Sequence, residues 1–188
     1  MTSDSFHKSV QLLDQYSLIY ESSFLHKARR ILWYFPFRWL VSSQIPGTIW
    51  RKFILRLFGA SVGKHGRIKP GLTVTSPWHL SVGDYCWIGE NTWIDNLAQV
   101  TISDHVCISQ LVYLCTGNHN YKTESFDLLL SPIMIEGQSW IGANATLAPG
   151  TYIGFGAVIT LGSVVSGMVP PYSIVKGNPS AVIGLRPC

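Results

Sequence analysis

Residues Ile135–Pro170 read IEGQSW, IGANAT, LAPGTY, IGFGAV, ITLGSV, VSGMVP, with an aliphatic residue at every sixth position: Ile135, Ile141, Leu147, Ile153, Ile159 and Val165. The second place is small or polar in every unit (Glu136, Gly142, Ala148, Gly154, Thr160, Ser166). The fifth holds Ser139, Ala145, Thr151, Ala157, Ser163 and Val169. A period of six matches neither a helix face nor an alternating strand. It matches a prism of short parallel strands with one hexad per face, a β-helix. The aliphatic residue points inward and the small residues turn the corner, where glycine accepts backbone angles that cost other residues dearly. A sandwich of short strands would need turn punctuation about every 8–12 residues, and the stretch has none.

Working back toward the N-terminus, the hexads begin at Val62 with VGKHGR and IKPGLT, followed by VTSPWHLS, which carries two extra residues. VGDYCW and IGENTW restore the period, IDNLAQVT is again two residues long, and ISDHVC and ISQLVY follow. The long units start at Val74 and Ile94, twenty residues apart. That is one turn of three hexads plus the insertion, so both insertions are expected along one edge of the prism. The register then breaks. Leu114 and Ile135 are twenty-one residues apart where six would do, which predicts a protruding loop over 115–133 that includes Gly117, Asn118, His119, Asn120 and Tyr121. Loops held by a rigid scaffold are where chemistry tends to sit.

Three segments follow from this reading: 1–60 as an N-terminal arm and helical cap, 61–170 as the β-helix, and 171–188 as a C-terminal tail. Pro170-Pro171 is expected to end the prism, with the tail folding back beside the last turns. Residues 1–22 are polar and aperiodic. From Phe24 to Ala60 the pattern is helical in two pieces, separated around Ser42–Gly47, with Pro36 kinking or ending the first. Thr48 is the expected N-cap of the second piece and Gly59 its stop. That piece aligns Trp50, Ile54, Leu55 and Phe58 on one face and sets Arg51, Lys52 and Arg56 around the rest. Basic residues mixed with aromatics fit two roles. One is a cap over the open strand edges at the end of the prism, the favoured reading. The other is peripheral contact with an anionic membrane surface.

Of the 188 residues, 47% are hydrophobic and 13% charged, enough for one domain with a substantial core. The charged share lies well below the usual quarter, which fits a surface partly covered by other subunits. A net charge of +4 admits an anionic ligand. No basic run with interleaved aromatics stands out as an RNA- or DNA-binding stripe, so nucleic acid is not an expected partner. The four cysteines (Cys86, Cys107, Cys115, Cys188) are scattered, without metal-ligand spacing. No metal is expected, and idle thiols fit a reducing compartment. The first residues lack the form of a secretory signal, and Ile31–Val41, broken by Pro36 and Arg38, is too short to span a bilayer. A cytoplasmic location is therefore expected.

Several stretches go beyond the repeat: Leu55-Arg56-Leu57-Phe58-Gly59-Ala60, Pro77-Trp78, Gly83-Asp84-Tyr85, Ile108-Ser109-Gln110, Leu114-Cys115-Thr116-Gly117, Trp140-Ile141 and Gly177-Asn178-Pro179. On these the chain resembles the hexapeptide-repeat acyltransferases, most closely the colanic acid biosynthesis acetyltransferase (WcaF-like) group. The match runs from about residue 47 to the end. The resemblance implies a mainly-β fold, a left-handed parallel β-helix, and a homotrimer with active sites between subunits. It also implies acetyl-CoA as donor and a saccharide hydroxyl as acceptor, in exopolysaccharide or related glycan synthesis.

His119 matches the catalytic histidine of the family. The chemistry needs a base near neutral pH to take a proton from the attacking hydroxyl, and imidazole, at a pKa of about 6.5, suits it. The resemblance points to Asn91, Asp95, Asn96 and Asn120 for the acceptor. Asn120 stands where an aspartate often follows the histidine, so Glu124 or Asp127 are the substitutes as carboxylate orienter. For the donor it points to Ser109, Trp140, Gly142, Ala143, Gly162 and Ser163, with Lys176 or Arg186 supplying charge for the phosphates. Small residues on the late coils have a second explanation in plain solenoid packing. An N-acetyltransferase acting on an amino sugar, a covalent route through Cys115, and a non-enzymatic scaffold are the alternatives.

Overall fold

The computed structural model of the chain describes residues 12–16 and 24–187. Most of the arm expected over 1–22 therefore lies outside the described residues, as does Cys188.

The hexads fold into three ribbons of parallel strands. The first face stacks Ser61–Val62, Leu80–Val82, Val100–Ile102, Ile133–Ile135, Tyr152–Ile153 and Met168–Val169. The second stacks Arg67–Ile68, Trp87–Ile88, Cys107–Ile108, Trp140–Ile141, Val158–Ile159 and Ser173–Gly177, and the third Thr73–Val74, Trp93–Asp95, Tyr113–Cys115, Thr146–Leu147 and Val164–Val165. Register pairs each inward aliphatic with its equivalent one turn on. Ile68, Ile88, Ile108, Ile141, Ile159 and Val175 thus form one column, none more than 3% exposed. Residues at the fifth place, among them Ala145, Thr151, Ala157 and Ser163, are also buried and fill the corners of the core.

The corners work differently from the sequence expectation. The left-handed backbone falls at the fourth place of each hexad, and it is held by His65, Tyr85, Asn91, His105, Gln138 and Asn144 as well as by glycines. The second-place glycines answer to the neighbouring turn instead. A Cβ on Gly142 would lie 2.7 Å from the carbonyl oxygen of Ile159, and one on Gly154 would lie 2.5 Å from the nitrogen of Pro171. Rungs spaced by one strand repeat leave no room for it.

The strand ladder also runs past Pro170-Pro171. The last unit is two residues short, so Val169 takes the inward place on the first face, paired with Ile153. Ser173–Gly177 then adds a rung to the second face, and Ser180–Leu185 turns back antiparallel against it. The tail is thus part of the sheet.

Helix α1 (Phe24–Leu32) passes through an irregular stretch at Trp33–Phe37, where Phe35 is extended next to Pro36, into α2 (Arg38–Ser42); α3 (Ile49–Leu57) follows. Trp33, Val41, Ile54, Leu55 and Phe58 are continuous with the prism core through Val62, Ile68, Leu72 and Val74. Strand edges at a solenoid end need polar partners as well as cover, and the first coil receives one set per face. Arg56 Nε donates to the carbonyl of Val62 at 2.9 Å, and Lys52 Nζ to that of Gly63 at 3.1 Å. On the second face the hydroxyl of Thr48 both donates to the carbonyl and accepts from the N–H of Ile68, at 3.2 Å each. On the third, Trp33 Nε1 donates to the carbonyl of Val74 at 3.1 Å. Thr48 therefore pairs a strand edge, and makes no side-chain cap to its helix.

Arg51, expected on the solvated side, is fully buried. Its guanidinium donates to the carbonyls of Val41, Gly47, Ser43 and Ile45 at 2.6–2.9 Å, which fixes the turn between α2 and α3. Among the described residues no helix is long and apolar enough to cross a membrane.

Candidate active site

The two insertions and the excursion share one edge, where the third face passes to the first. Asn96, at the second insertion, reaches back to the first. Its carboxamide oxygen accepts the N–H of Ser76 at 2.9 Å, and its nitrogen donates to the carbonyls of Ser76 at 2.7 Å and His79 at 3.0 Å. One turn on, Thr116 Oγ1 donates to the carbonyl of Asp95 and accepts the N–H of Ala98, both at 3.0 Å. From this anchored corner the chain leaves as a hairpin, Gly117–His119 antiparallel to Leu128–Leu130.

His119 ends the outgoing strand. Its Nδ1 lies 2.8 Å from the carbonyl oxygen of Phe126. A carbonyl only accepts, so Nδ1 carries the proton and Nε2 presents a lone pair. Phe126 sits at φ 48°, which turns its carbonyl toward the imidazole, and its ring stacks on the histidine with centroids 4.3 Å apart and planes 5° from parallel. Tyr16 contacts the same imidazole at 5.7 Å between ring centroids. Leu12 fixes its short segment by donating its N–H to the carbonyl of Glu124 at 2.9 Å.

Asp95 pairs with Cys115 across the third face. Its carboxylate accepts from Thr75 Oγ1 at 2.8 Å and from the Tyr113 hydroxyl at 3.2 Å. Burial, then the Cys115 thiol and the Asp95 carboxylate, push the Tyr113 phenol well above its ordinary value. The Cys115 thiol donates to the carbonyl of Gly117 at 3.2 Å.

A groove of about 380 Å³ runs along the second face toward its other corner, lined by Ser109, Gln110, Trp140, Gly142, Ala143 and Leu161 among others. Trp140 Nε1 donates to Ser109 Oγ at 3.0 Å, which holds the indole as one wall. Register stacks Ser109, Gly142, Thr160 and Lys176 in one column, since each follows an aliphatic of the second face. The exposed Lys176 thus stands one rung beyond the groove. Among the described residues no cluster of His, Cys, Asp or Glu has metal-binding geometry.

Over 137 residues the chain is 41% identical to the Escherichia coli (strain K12) protein WcaF, designated a colanic acid biosynthesis acetyltransferase; the match covers 73% of this chain and 75% of WcaF. The chain belongs to the WcaF-like hexapeptide-repeat acetyltransferases. No protein-family model matches it. Among solved structures it is similar to the hexapeptide-repeat acetyltransferase VCA0836 of Vibrio cholerae, with TM-score 0.79, 26% identity, and 88% of this chain and 94% of that one covered. It is likewise similar to a maltose O-acetyltransferase of Clostridium difficile, with TM-score 0.78, 25% identity and coverage of 88% and 90%. The fold is the left-handed parallel β-helix of these acetyltransferases.

Within this WcaF-like acetyltransferase the candidate residues separate by what they touch. Asp95 lies on the His119 edge. Asn96 is on that edge too, but it is fully buried with oxygen and nitrogen both engaged, so it is a corner fastener with nothing left to offer a substrate. Asn91 occupies a left-handed position at a different corner, beside Pro70 and Gln44 of the capped end. Asn120 uses its side-chain oxygen on the N–H of Lys122 within the hairpin loop. The expected carboxylate orienter gives way to the Phe126 carbonyl, while Asp127 accepts from Ser125 at 2.7 Å.

Ser109, Trp140, Gly142 and Ala143 meet in the groove, and Gly162 donates its N–H to the carbonyl of Ala143 at 2.9 Å. The Ser163 side chain is buried, accepting the N–H of Gly177 at 3.1 Å. Arg186 binds the carbonyls of Gln138 and Gly156 at another corner, which leaves Lys176 beside the groove. Sequence reasoning missed Phe126, Tyr16 and Tyr113. An aromatic seven residues after the histidine was the only available signal for the first.

Proposed function

We propose that this protein is an acetyl-CoA-dependent O-acetyltransferase that acetylates a hydroxyl of a saccharide in exopolysaccharide or related glycan synthesis. The observation that carries the reading is the His119 imidazole, held by the Phe126 carbonyl at Nδ1 with Nε2 as the free acceptor, in a member of an acetyltransferase family. In the proposed step Nε2 takes the proton of the acceptor hydroxyl as its oxygen attacks the thioester carbonyl. The tetrahedral intermediate collapses with cleavage of the carbon–sulfur bond, and the proton passes from His119 to the departing CoA sulfur. Asp95, with Tyr113 donating to it, is the proposed acceptor contact. The groove of Ser109, Trp140, Gly142 and Ala143, with Gly162 at its rim, is the proposed pantetheine site, and Lys176 the phosphate contact.

The groove follows the second face and the His119 hairpin the third, so the two lie on different edges of one prism. This supports a homotrimer in which one subunit's base meets its neighbour's donor groove. Half-exposed Trp87, Trp93 and Trp140 on the outer faces support packing between prisms. The proposed setting is the cytoplasm, where acetyl-CoA is at hand.

The test is acetyl-CoA turnover against mono- and oligosaccharides, with the product's linkage read by NMR. An O-acetyl ester is expected. Transfer only to amino sugars as an amide would reassign the reaction. No CoA binding by calorimetry would leave the chain a scaffold.

A further inference from the structure

The helical cap has an outer side whose chemistry its structural role leaves unused. Surface helices ordinarily turn their apolar stripe inward, and α3 does so with Ile54 and Leu55, continued by Phe58 just past its end. It carries a second stripe facing out: Ile49, Phe53 and Leu57, four residues apart, are 86%, 66% and 62% exposed. On α1, Phe24, Leu25 and Ile31 are exposed likewise, at 83%, 77% and 70%. Single exposed leucines are common, but a run of large side chains at helical spacing marks an interaction surface.

The cap's own charge is of one sign. From Phe24 to Ala60 the chain carries seven Lys and Arg and no carboxylate, although Arg51 among them is buried. Lys52 and Arg56 flank the outward stripe of α3 while their tips hold the Val62 and Gly63 carbonyls. Lys27, Arg30 and Ile31 of α1, with Tyr34 just beyond it, line a largely apolar groove of about 360 Å³. A second copy of this cap would bring like charge against like charge, which disfavours self-association through it. An anionic lipid surface satisfies both features, taking the apolar side chains to the acyl boundary while the cap's positive field faces the phosphate level.

We propose that the outer side of α1 and α3 docks on an anionic membrane surface, which holds the prism by its capped end. The proposal is independent of the acetyl-transfer reading.

The test uses the full chain, co-sedimented with vesicles of phosphatidylcholine alone and of phosphatidylcholine mixed with phosphatidylglycerol. Beside it runs the triple variant Ile49→Ser, Phe53→Ser, Leu57→Ser, whose positions line neither the core nor the groove. The wild type is expected to pellet with the phosphatidylglycerol vesicles and to be released by salt. The variant should bind at least about tenfold more weakly, with unchanged circular dichroism, oligomeric mass and CoA binding. Three results would overturn the proposal: wild type that stays in the supernatant, equal binding by the variant, or a variant that changes oligomeric mass, which would make the stripe an interface between copies.

Discussion

His119 and Arg51 show how far one residue's role depends on backbone carbonyls. Nothing in the string of letters marks Phe126 as a hydrogen-bond acceptor, because every residue has a carbonyl; only its left-handed φ aims this one. Hence the candidate base could be named from its motif, while the carbonyl that holds it could not. Arg51 was misread for a related reason. Charge normally stays outside, and only the folded turn supplies the four carbonyls that make burial tolerable. Desolvation lowers its pKa, yet an arginine starts so high that it stays charged. Arg51→Met should therefore cost about 3 kcal/mol in urea unfolding, since it strands buried carbonyls; a loss below about 1 kcal/mol would mean that water replaces the guanidinium. Tyr113 gives a pH signature. Its phenol is raised in the fold, so the folded state keeps a proton that the unfolded chain releases near pH 10. Stability should be intact below that pH and fall as pH rises past it, more steeply in wild type than in Tyr113→Phe. Equal slopes in the two proteins would show the phenol to be unstrained.

At the scale of elements, the repeat was readable because its inward places are periodic, and the columns from Ile68 to Val175 follow from it. The corners were less readable. Non-glycine residues such as Asn144 and Gln138 accept the left-handed fourth place, at a cost of roughly 1–2 kcal/mol each, so the strained position leaves no clean glycine column. Glycine is needed instead where the next rung's backbone sits against it. Gly142→Ala, with its Cβ 2.7 Å from the Ile159 carbonyl, should cost about 1–3 kcal/mol in thermal or urea unfolding. Gly162→Ala meets open space, and its cost should be confined to the left-handed backbone, about 1–2 kcal/mol. The shortened unit between Val165 and Val169 escaped because Pro170-Pro171 reads as a stop. A proline pair does end a hexad, but the next face can still begin beyond it.

For the whole molecule, the same arithmetic that put both insertions on one edge put the excursion there as well, so the edge that carries His119 was legible in the sequence. The separation of that edge from the proposed donor groove was not, because it depends on which outer face the groove occupies. It yields a test of assembly. His119→Ala subunits and subunits with the groove filled by Ala143→Trp should each be inactive alone. Co-expressed in equal amounts and assembling at random into the proposed trimer, they should recover about a quarter of wild-type activity if base and groove come from different subunits. No recovery would mean that each subunit serves itself.

The most direct test of the central claim is the steady-state rate of acetyl transfer from acetyl-CoA to a saccharide by His119→Ala beside wild type, with CoA affinity and oligomeric mass measured on the same samples. Loss of a general base predicts a fall in kcat of about a hundredfold or more with CoA binding and assembly unchanged. A kcat within a few-fold of wild type would contradict the assignment of His119, and with it the mechanism built on its free Nε2.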